Sequence, residues 1–135
     1  MAIRYTKVKR KMNFGKRKGE TLYGASILRE GIIDQERLAQ FIQDTTTLSK
    51  TEAIAMLRAL GRIIQDHICD SMSVKLDIGT FTPTISAKAV KEAEDVDNDT
   101  IKNISVRFRP SVELTDALKE TKLKFDDLNK RKVII

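Results

Sequence analysis

Apolar residues recur at helical spacing through the segment that follows residue 48. The recurring positions, three or four residues apart, are Ala53, Met56, Leu57, Leu60, Ile63, Ile64, His67 and Ile68. This pattern predicts an amphipathic helix of about five turns. The preceding Ser49-Lys50-Thr51-Glu52 has the form of a capping box, with Ser at the N-cap and Glu at N3. Asp34 predicts the N-cap of a shorter helix that ends within residues 45–47.

After residue 73 the hydrophobic period changes from that of a helix to that of a strand. Apolar and polar residues alternate over 74–78, and strand-like sequence resumes over 81–86 and 101–108. Pro110 ends the last of these strands, and Ser111 is placed to cap a short final helix. Residues 87–99 read as a solvated excursion. Its acidic residues are Glu92, Glu94, Asp95, Asp97 and Asp99.

The N-terminal region has a weaker alternating pattern. Residues 3–12 predict one strand, 13–19 a loop rich in Gly and Lys, and 21–28 a second short strand. These two strands form a hairpin or extend the edge of another sheet.

Composition bounds the class of protein. The chain has 135 residues, of which 41% are hydrophobic and 33% charged, which is typical of one globular domain. One Cys and one His exclude an intrachain disulfide framework and a His-paired metal site. The apolar runs are too short to span a membrane, and no signal peptide is visible, so we expect a cytoplasmic protein.

Positive charge is concentrated at the N-terminus. Residues 1–20 contain eight Lys and Arg and one acid, which gives +7, whereas the whole chain carries +6 and the remainder therefore −1. A basic segment on a nearly neutral body favours a polyanionic partner, most often a nucleic acid. A solvated terminus that only improves solubility is an equally open interpretation.

No arrangement of residues predicts catalysis. Residues 95–99 match the first ligand positions of a calcium loop, but Thr100 replaces the turn Gly and Val106 the bidentate Glu. Nucleophile elbows, phosphate loops and HExxH runs do not occur. We expect no enzyme, no metal, no cofactor and no small-molecule substrate.

Several short motifs resemble one family. The segments that carry the resemblance are Leu48-Ser49-Lys50, Gly79-Thr80-Phe81, Arg107-Phe108-Arg109-Pro110 and Leu114–Lys119. With the separation between the second and the third, they resemble the HU and integration-host-factor family of bacterial histone-like DNA-binding proteins. The resemblance covers about residues 34–121. The basic first strand, the Tyr-Gly-Ala at 23–25 and the ending at 122–125 are more similar to HU-like proteins of Bacteroidetes with an N-terminal extension.

The resemblance implies an α+β fold: a helical hairpin base, a three-stranded antiparallel sheet with a β-arm, an N-terminal strand extension and a short C-terminal helix. It divides the chain into a basic extension (1–33), an HU-like domain (34–121) and a C-terminal tail (122–135). It also implies a nucleoid-associated homodimer that holds DNA between two arms. The candidate dimer core is Leu57, Leu60, Ile64, Ile68 and Phe81.

The function that follows is architectural, largely sequence-nonspecific binding of double-stranded DNA. The candidate contacts to phosphate are Lys7, Lys9, Arg10, Lys11, Lys16, Arg17, Lys18, Lys50, Lys75, Lys88, Lys102, Arg107 and Arg109. The family's arm carries a proline that wedges between base steps, but here no proline lies between Pro83 and Pro110, and this region is acidic. We therefore expect weak bending.

Two other functions remain open. A protein-interaction module that has lost the wedging tip would explain the acidic excursion. An RNA-binding protein would explain the positive charge equally well. Tyr5, Phe14 and Tyr23 interleave the basic segment, but three aromatic residues are too few to argue for a base-stacking platform.

Overall fold

The computed structural model describes residues 1–127 and confirms an α+β architecture. Two compact units form. The central unit consists of residues 33–116, and the N-terminal unit consists of residues 1–32 together with 117–127. The last part of the expected tail, 128–135 with its Lys130-Arg131-Lys132 run, lies outside the described residues.

Three α-helices lie within residues 1–127: α1 (Gln35–Thr45), α2 (Lys50–Cys69) and α3 (Val112–Glu120). The carboxylate of Asp34 caps α1 by accepting the backbone N–H of Arg37 at 2.9 Å. The capping box of α2 is complete, because the Ser49 hydroxyl accepts the N–H of Glu52 and the Glu52 carboxylate accepts the N–H of Ser49. Both predicted helix starts are therefore confirmed.

The central sheet is antiparallel. It contains β3 (Val74–Leu76), β4 (Gly79–Ala87) and β5 (Ile101–Pro110), in the order β3-β4-β5. A two-residue turn joins β3 to β4, and residues 88–100 join β4 to β5. This connection contains two 3-10 turns, Ala93–Asp95 and Asn98–Thr100.

The N-terminal sheet has the order β2-β1-β6. β1 (Ala2–Lys11) and β2 (Thr21–Ile27) form the expected antiparallel hairpin. β6 (Lys122–Phe125) then pairs in parallel with the start of β1, from Ala2 opposite Lys122 to Tyr5 opposite Phe125. The sequence analysis placed these four residues in a tail and did not predict this strand.

Little of the apolar surface is covered. Among the described residues, Ala39 on α1 and Ala53 on α2 are the buried hydrophobic side chains. Larger apolar residues on the same unit stay accessible, such as Met56, which is 57% exposed. The stripe on α2 is therefore apolar without a matching cover from this chain. No helix within residues 1–127 has the length and apolar character needed to cross a membrane.

Candidate nucleic-acid interface

The central sheet separates its side chains into a polar face and an apolar face. Directly paired residues of antiparallel strands point to the same face. Thr80 pairs with both Lys75 and Arg109, and Thr82 pairs with Arg107. These side chains therefore share one face, and Thr84, Ser86, Asn103 and Ser105 continue it along the hairpin. We call this surface the hydroxyl–guanidinium face.

The opposite face is apolar. Phe81 pairs with Val74 and Phe108, and the Phe81 and Phe108 rings lie 5.0 Å apart between centroids at an angle of 44°. Pro83 opposite Val106 and Ile85 opposite Ile104 extend this face. Because side chains alternate between the two faces, Lys75, Arg107 and Arg109 all point away from the phenylalanine rings.

The two sequence motifs of the central sheet lie directly opposite each other. Gly79 pairs with Pro110, Thr80 with Arg109 and Phe81 with Phe108. A Cβ atom at Gly79 would lie 2.6 Å from the Phe108 ring and would also overlap the carbonyl oxygen of Arg109. Glycine is therefore required for the strands to approach here, and this approach fixes the position of Arg109.

A shallow depression of about 580 Å³ opens at this end of the sheet. Its lining includes Lys75, Thr80, Arg109 and Ser111, which supply two cations and two hydroxyls, and one acid, Asp77. Ammonium, guanidinium and hydroxyl groups are the side chains that most often contact phosphate oxygens. The depression can therefore accept a phosphate group.

The other candidate cations of the central unit lie elsewhere. Lys88 follows β4, where its backbone N–H donates to the carbonyl oxygen of Thr100 at 2.7 Å. Lys102 lies at the far end of β5, beside the register shift between Ser86 and Ala87. Lys50 begins α2 and borders a depression of about 250 Å³. It is therefore a helix residue outside the hydroxyl–guanidinium face.

The acidic connection between β4 and β5 is stabilised by one of its own carboxylates. One oxygen of Asp97 accepts the backbone N–H groups of Asp99 at 3.0 Å and Thr100 at 3.3 Å. This side chain therefore caps a 3-10 turn. Within residues 1–127 no group of three or more His, Cys, Asp or Glu residues is arranged to hold a metal ion.

The N-terminal sheet carries the basic cluster on two faces. Lys7, Lys9 and Lys11 alternate along β1 and share one face, whereas Arg10 points to the other. Arg4, on the same side as Arg10, forms ion pairs with Glu30 at 3.2 Å and Asp126 at 3.6 Å. Lys16, Arg17 and Lys18 lie in the connection between β1 and β2. The seven candidate cations at the N-terminus therefore do not form one surface.

Aromatic residues share the lysine face of this sheet. Tyr23 pairs with Lys9, and Tyr5 pairs with Phe125 of β6. The Tyr5 and Phe125 rings lie 5.7 Å apart, and the Lys7 ammonium lies 5.1 Å from the Phe125 centroid. Sequence reasoning missed Phe125. The feature that could have indicated a strand here is the short alternation of polar and apolar residues in Lys122-Leu123-Lys124-Phe125, directly after the end of α3.

The candidate dimer residues lie on accessible surfaces. Leu57, Ile64 and Ile68 are half-buried, and Leu60 is more exposed, at 39%. An apolar depression of about 190 Å³ lies beside them. Its lining is Ile42, Leu48, Ala53, Met56, Leu57 and Leu60. The fifth candidate, Phe81, contributes to the apolar face of the central sheet.

The chain is similar to a known protein family and to solved structures. The sequence model of a family described as an HU domain fused to a wHTH, Ig or glycine-rich motif matches residues 1–125. The fold is similar to the crystal structure of a protein from Bacteroides vulgatus ATCC 8482, described as a candidate bacterial DNA-binding protein, with a TM-score of 0.64 and 12% sequence identity. The match covers 92% of this chain and 47% of that protein, so the chain spans about half of its length. No curated protein matches the sequence.

Proposed function

The chain belongs to the HU-HIG family, whose members carry an HU domain fused to a further motif, and on this premise we propose that it binds double-stranded DNA with little sequence preference. The observation that carries the proposal is the hydroxyl–guanidinium face. It presents Lys75, Arg107 and Arg109 among hydroxyl groups, and no acidic residue occurs on β3, β4 or β5. Contacts of this kind hold the phosphate backbone and carry no sequence information.

Further cations contribute to the affinity in this proposal. The N-terminal cluster (Lys7, Lys9, Arg10, Lys11, Lys16, Arg17 and Lys18) adds electrostatic attraction, and Lys50, Lys88 and Lys102 add smaller terms. The proposed kinship with the HU-like proteins of Bacteroidetes rests on the basic first strand and on the segments at 23–25 and 122–125. Binding to the chromosome places the protein in the bacterial cytoplasm, at the nucleoid. A role as an enzyme forms no part of the proposal.

The protein acts as a homodimer in this proposal. Leu57, Leu60, Ile64 and Ile68 form an apolar stripe on α2 that this chain leaves accessible, and the depression beside them has an entirely apolar lining. Burial of apolar side chains contributes about 25 cal/mol per Å² of surface, so a second copy on this face stabilises the fold. Sedimentation at micromolar concentration tests this: a dimer is expected, and a folded monomer contradicts it.

Bending of the bound DNA is weak in this proposal. The connection over 88–100 contains no proline, and its tip carries the five acids, which phosphate groups repel. Without a wedge, smooth bending of a short DNA site costs about 1–6 kcal/mol. Energy transfer between dyes at the two ends of a short duplex is expected to change little on binding. A large approach of the ends would contradict this.

The binding proposal is tested by titrating a duplex at several salt concentrations. The double variant Arg107→Gln with Arg109→Gln removes two phosphate contacts. The slope of log K against log salt should therefore fall by about 1.8, at about 0.9 per contact. The matched control is Arg58→Gln with Arg62→Gln, which makes the same charge change on exposed positions of α2. Equal slopes for the two variants would contradict the assignment of the face.

Absence of duplex binding at low salt by the intact protein would overturn the function itself. The acidic connection and the open apolar faces would then favour the protein-interaction module over a DNA-binding protein.

A further inference from the structure

The N-terminal sheet presents aromatic rings and ammonium groups together, on one open face. Its three strands carry Lys and Arg but no acidic residue. Tyr23 is 73% exposed and Phe125 is 45% exposed, and both share their face with Lys7 and Lys9. We propose that this face, which we call the tyrosine–lysine face, binds single-stranded nucleic acid by stacking unpaired bases on its rings.

The register places the rings at a useful spacing. Tyr23 lies beside Lys9, and Phe125 lies beside Tyr5, four residues earlier on β1. At about 3.3 Å per residue, the two levels are about 13 Å apart along the strand. Lys7 and the small Ala25 form the level between them. Along the strand the surface therefore carries one ring beside Lys9, then Lys7 beside a small residue, then the pair of rings of Tyr5 and Phe125.

The chemistry of this face suits unpaired bases better than a duplex. Stacking requires access to the flat surface of a base, which is hidden between neighbours in a double helix. Proteins that bind single strands combine a basic groove with aromatic side chains on which successive bases stack. The Lys7 ammonium lies over the Phe125 ring, 5.1 Å from its centroid. A base that stacks on this surface of Phe125 therefore displaces the ammonium, which can then contact the phosphate of the bound strand.

This site is distinct from the hydroxyl–guanidinium face and does not rest on the function proposed for it. That face carries its cations among hydroxyl groups and has its rings on the reverse side. The tyrosine–lysine face has rings and cations on the same side. Replacing the rings should therefore weaken single-strand binding alone, and replacing Arg107 and Arg109 should weaken duplex binding alone.

Tyrosine emission gives a direct test. The chain has no Trp and two Tyr residues, Tyr5 and Tyr23, both on this face. Titration with oligothymidine or oligouridine of about 12 nucleotides, within the site sizes known for such surfaces, should quench this emission. Quenching by either strand supports the site and tells whether it accepts DNA, RNA or both. A blunt duplex should quench less at equal saturation.

Substitutions on this face, with matched controls elsewhere, separate stacking from charge. Tyr23→Leu should weaken single-strand binding by at least about fivefold, the lower limit for loss of one stacked base, whereas Tyr23→Phe should retain it. Lys9→Gln should weaken it more than Arg10→Gln, which makes the same charge change on the opposite face of the same strand. The paired Arg107→Gln and Arg109→Gln variant should lose duplex affinity and keep single-strand affinity.

Three results would overturn the proposal. The first is no binding of either oligonucleotide at low salt. The second is binding without a change in tyrosine emission, together with equal losses for Lys9→Gln and Arg10→Gln, which would show attraction by net charge alone. The third is capture of a protein or a second copy on this face that excludes the oligonucleotide. Wild-type emission needs no substitution, so a poorly folded variant cannot obscure the outcome.

Discussion

The two sheets of this protein share their number of strands and the sign of their charge but distribute their side chains differently. Each has three strands, and no strand of either carries an acidic residue. The central sheet places Arg107 and Arg109 on one face and the Phe81 and Phe108 rings on the other. The N-terminal sheet places the lysines of β1 and its rings on the same face.

This difference shows that positive charge alone does not define a nucleic-acid surface. Guanidinium groups among hydroxyls can contact phosphate oxygens, which every duplex presents on its outside. Exposed rings among lysines offer flat apolar surfaces on which unpaired bases can stack, whereas the paired bases of a duplex cannot. Both sheets can attract a duplex through charge, but only the sheet with rings among its cations can also stack unpaired bases.

Charge removal at the N-terminus should have the largest effect on duplex binding. Neutralising the seven cations Lys7, Lys9, Arg10, Lys11, Lys16, Arg17 and Lys18 to Gln should lower the salt slope by about 3, if about half of them contact phosphate at about 0.9 each. At about 0.1 M salt this corresponds to a loss of roughly 10²- to 10³-fold in affinity. Substitution preserves β1, which a deletion of residues 2–18 would remove.

The same variant combined with Arg107→Gln and Arg109→Gln tests whether the sheets act separately. Because the two sets share no strand, the losses in binding free energy should add within about 0.5 kcal/mol. A salt slope unchanged by the seven replacements, in a protein with native thermal unfolding, would refute the role of the cluster.

The next largest difference between the two sheets should be in the stability change caused by a Gly→Ala substitution. Gly79→Ala forces a Cβ atom into the Phe108 ring and the Arg109 carbonyl, and should destabilise the protein by about 1–3 kcal/mol. The matched substitution in the other sheet, Gly24→Ala, meets only Val8 Cγ2 at an ordinary 3.8 Å and should change stability by less than about 1 kcal/mol. Thermal unfolding measures both. Equal effects would show that the approach of β4 and β5 is not tight.

Ion pairing in the N-terminal sheet should contribute less. Arg4→Gln breaks the contacts with Glu30 and Asp126 and should cost about 0.2–1 kcal/mol, since the Arg4 side chain is 37% exposed and solvent weakens the pairs. Arg10→Gln is the control on the same face of β1. Denaturant unfolding of the two variants compares them, and a larger loss from Arg10→Gln would contradict the assignment.

The acidic connection should give the smallest effect. Glu94→Gln with Asp95→Asn removes two negative charges while keeping Asp97, whose carboxylate holds the 3-10 turn. Less repulsion from phosphate should raise duplex affinity by about two- to fivefold at about 0.1 M salt, where screening limits the range of exposed charges to about 10 Å. Asp66→Asn on α2 should change it less. Unchanged affinity would place the tip away from DNA.

Local signals in the sequence predicted the helices and the central sheet. Asp34 and the Ser49–Glu52 box mark helix starts through contacts three residues apart, and alternation marks β4 and β5. β6 escaped prediction because its pairing partner is about 120 residues away and only four residues alternate. For the same reason Phe125 was not assigned to the face of Tyr23, and three scattered aromatic residues did not indicate a platform.

The parallel pairing of β1 with β6 has a consequence for biosynthesis. A chain that emerges N-terminus first can form the β1–β2 hairpin early, because its strands are neighbours in sequence. The edge of β1 that pairs with β6 stays unpaired until residue 125 has left the ribosome. Closing so long a loop is slow, and unpaired strand edges attract other chains in the meantime. We expect the basic side chains of β1 to reduce pairing between nascent chains during this time, because copies with the same charge repel each other until β6 has paired.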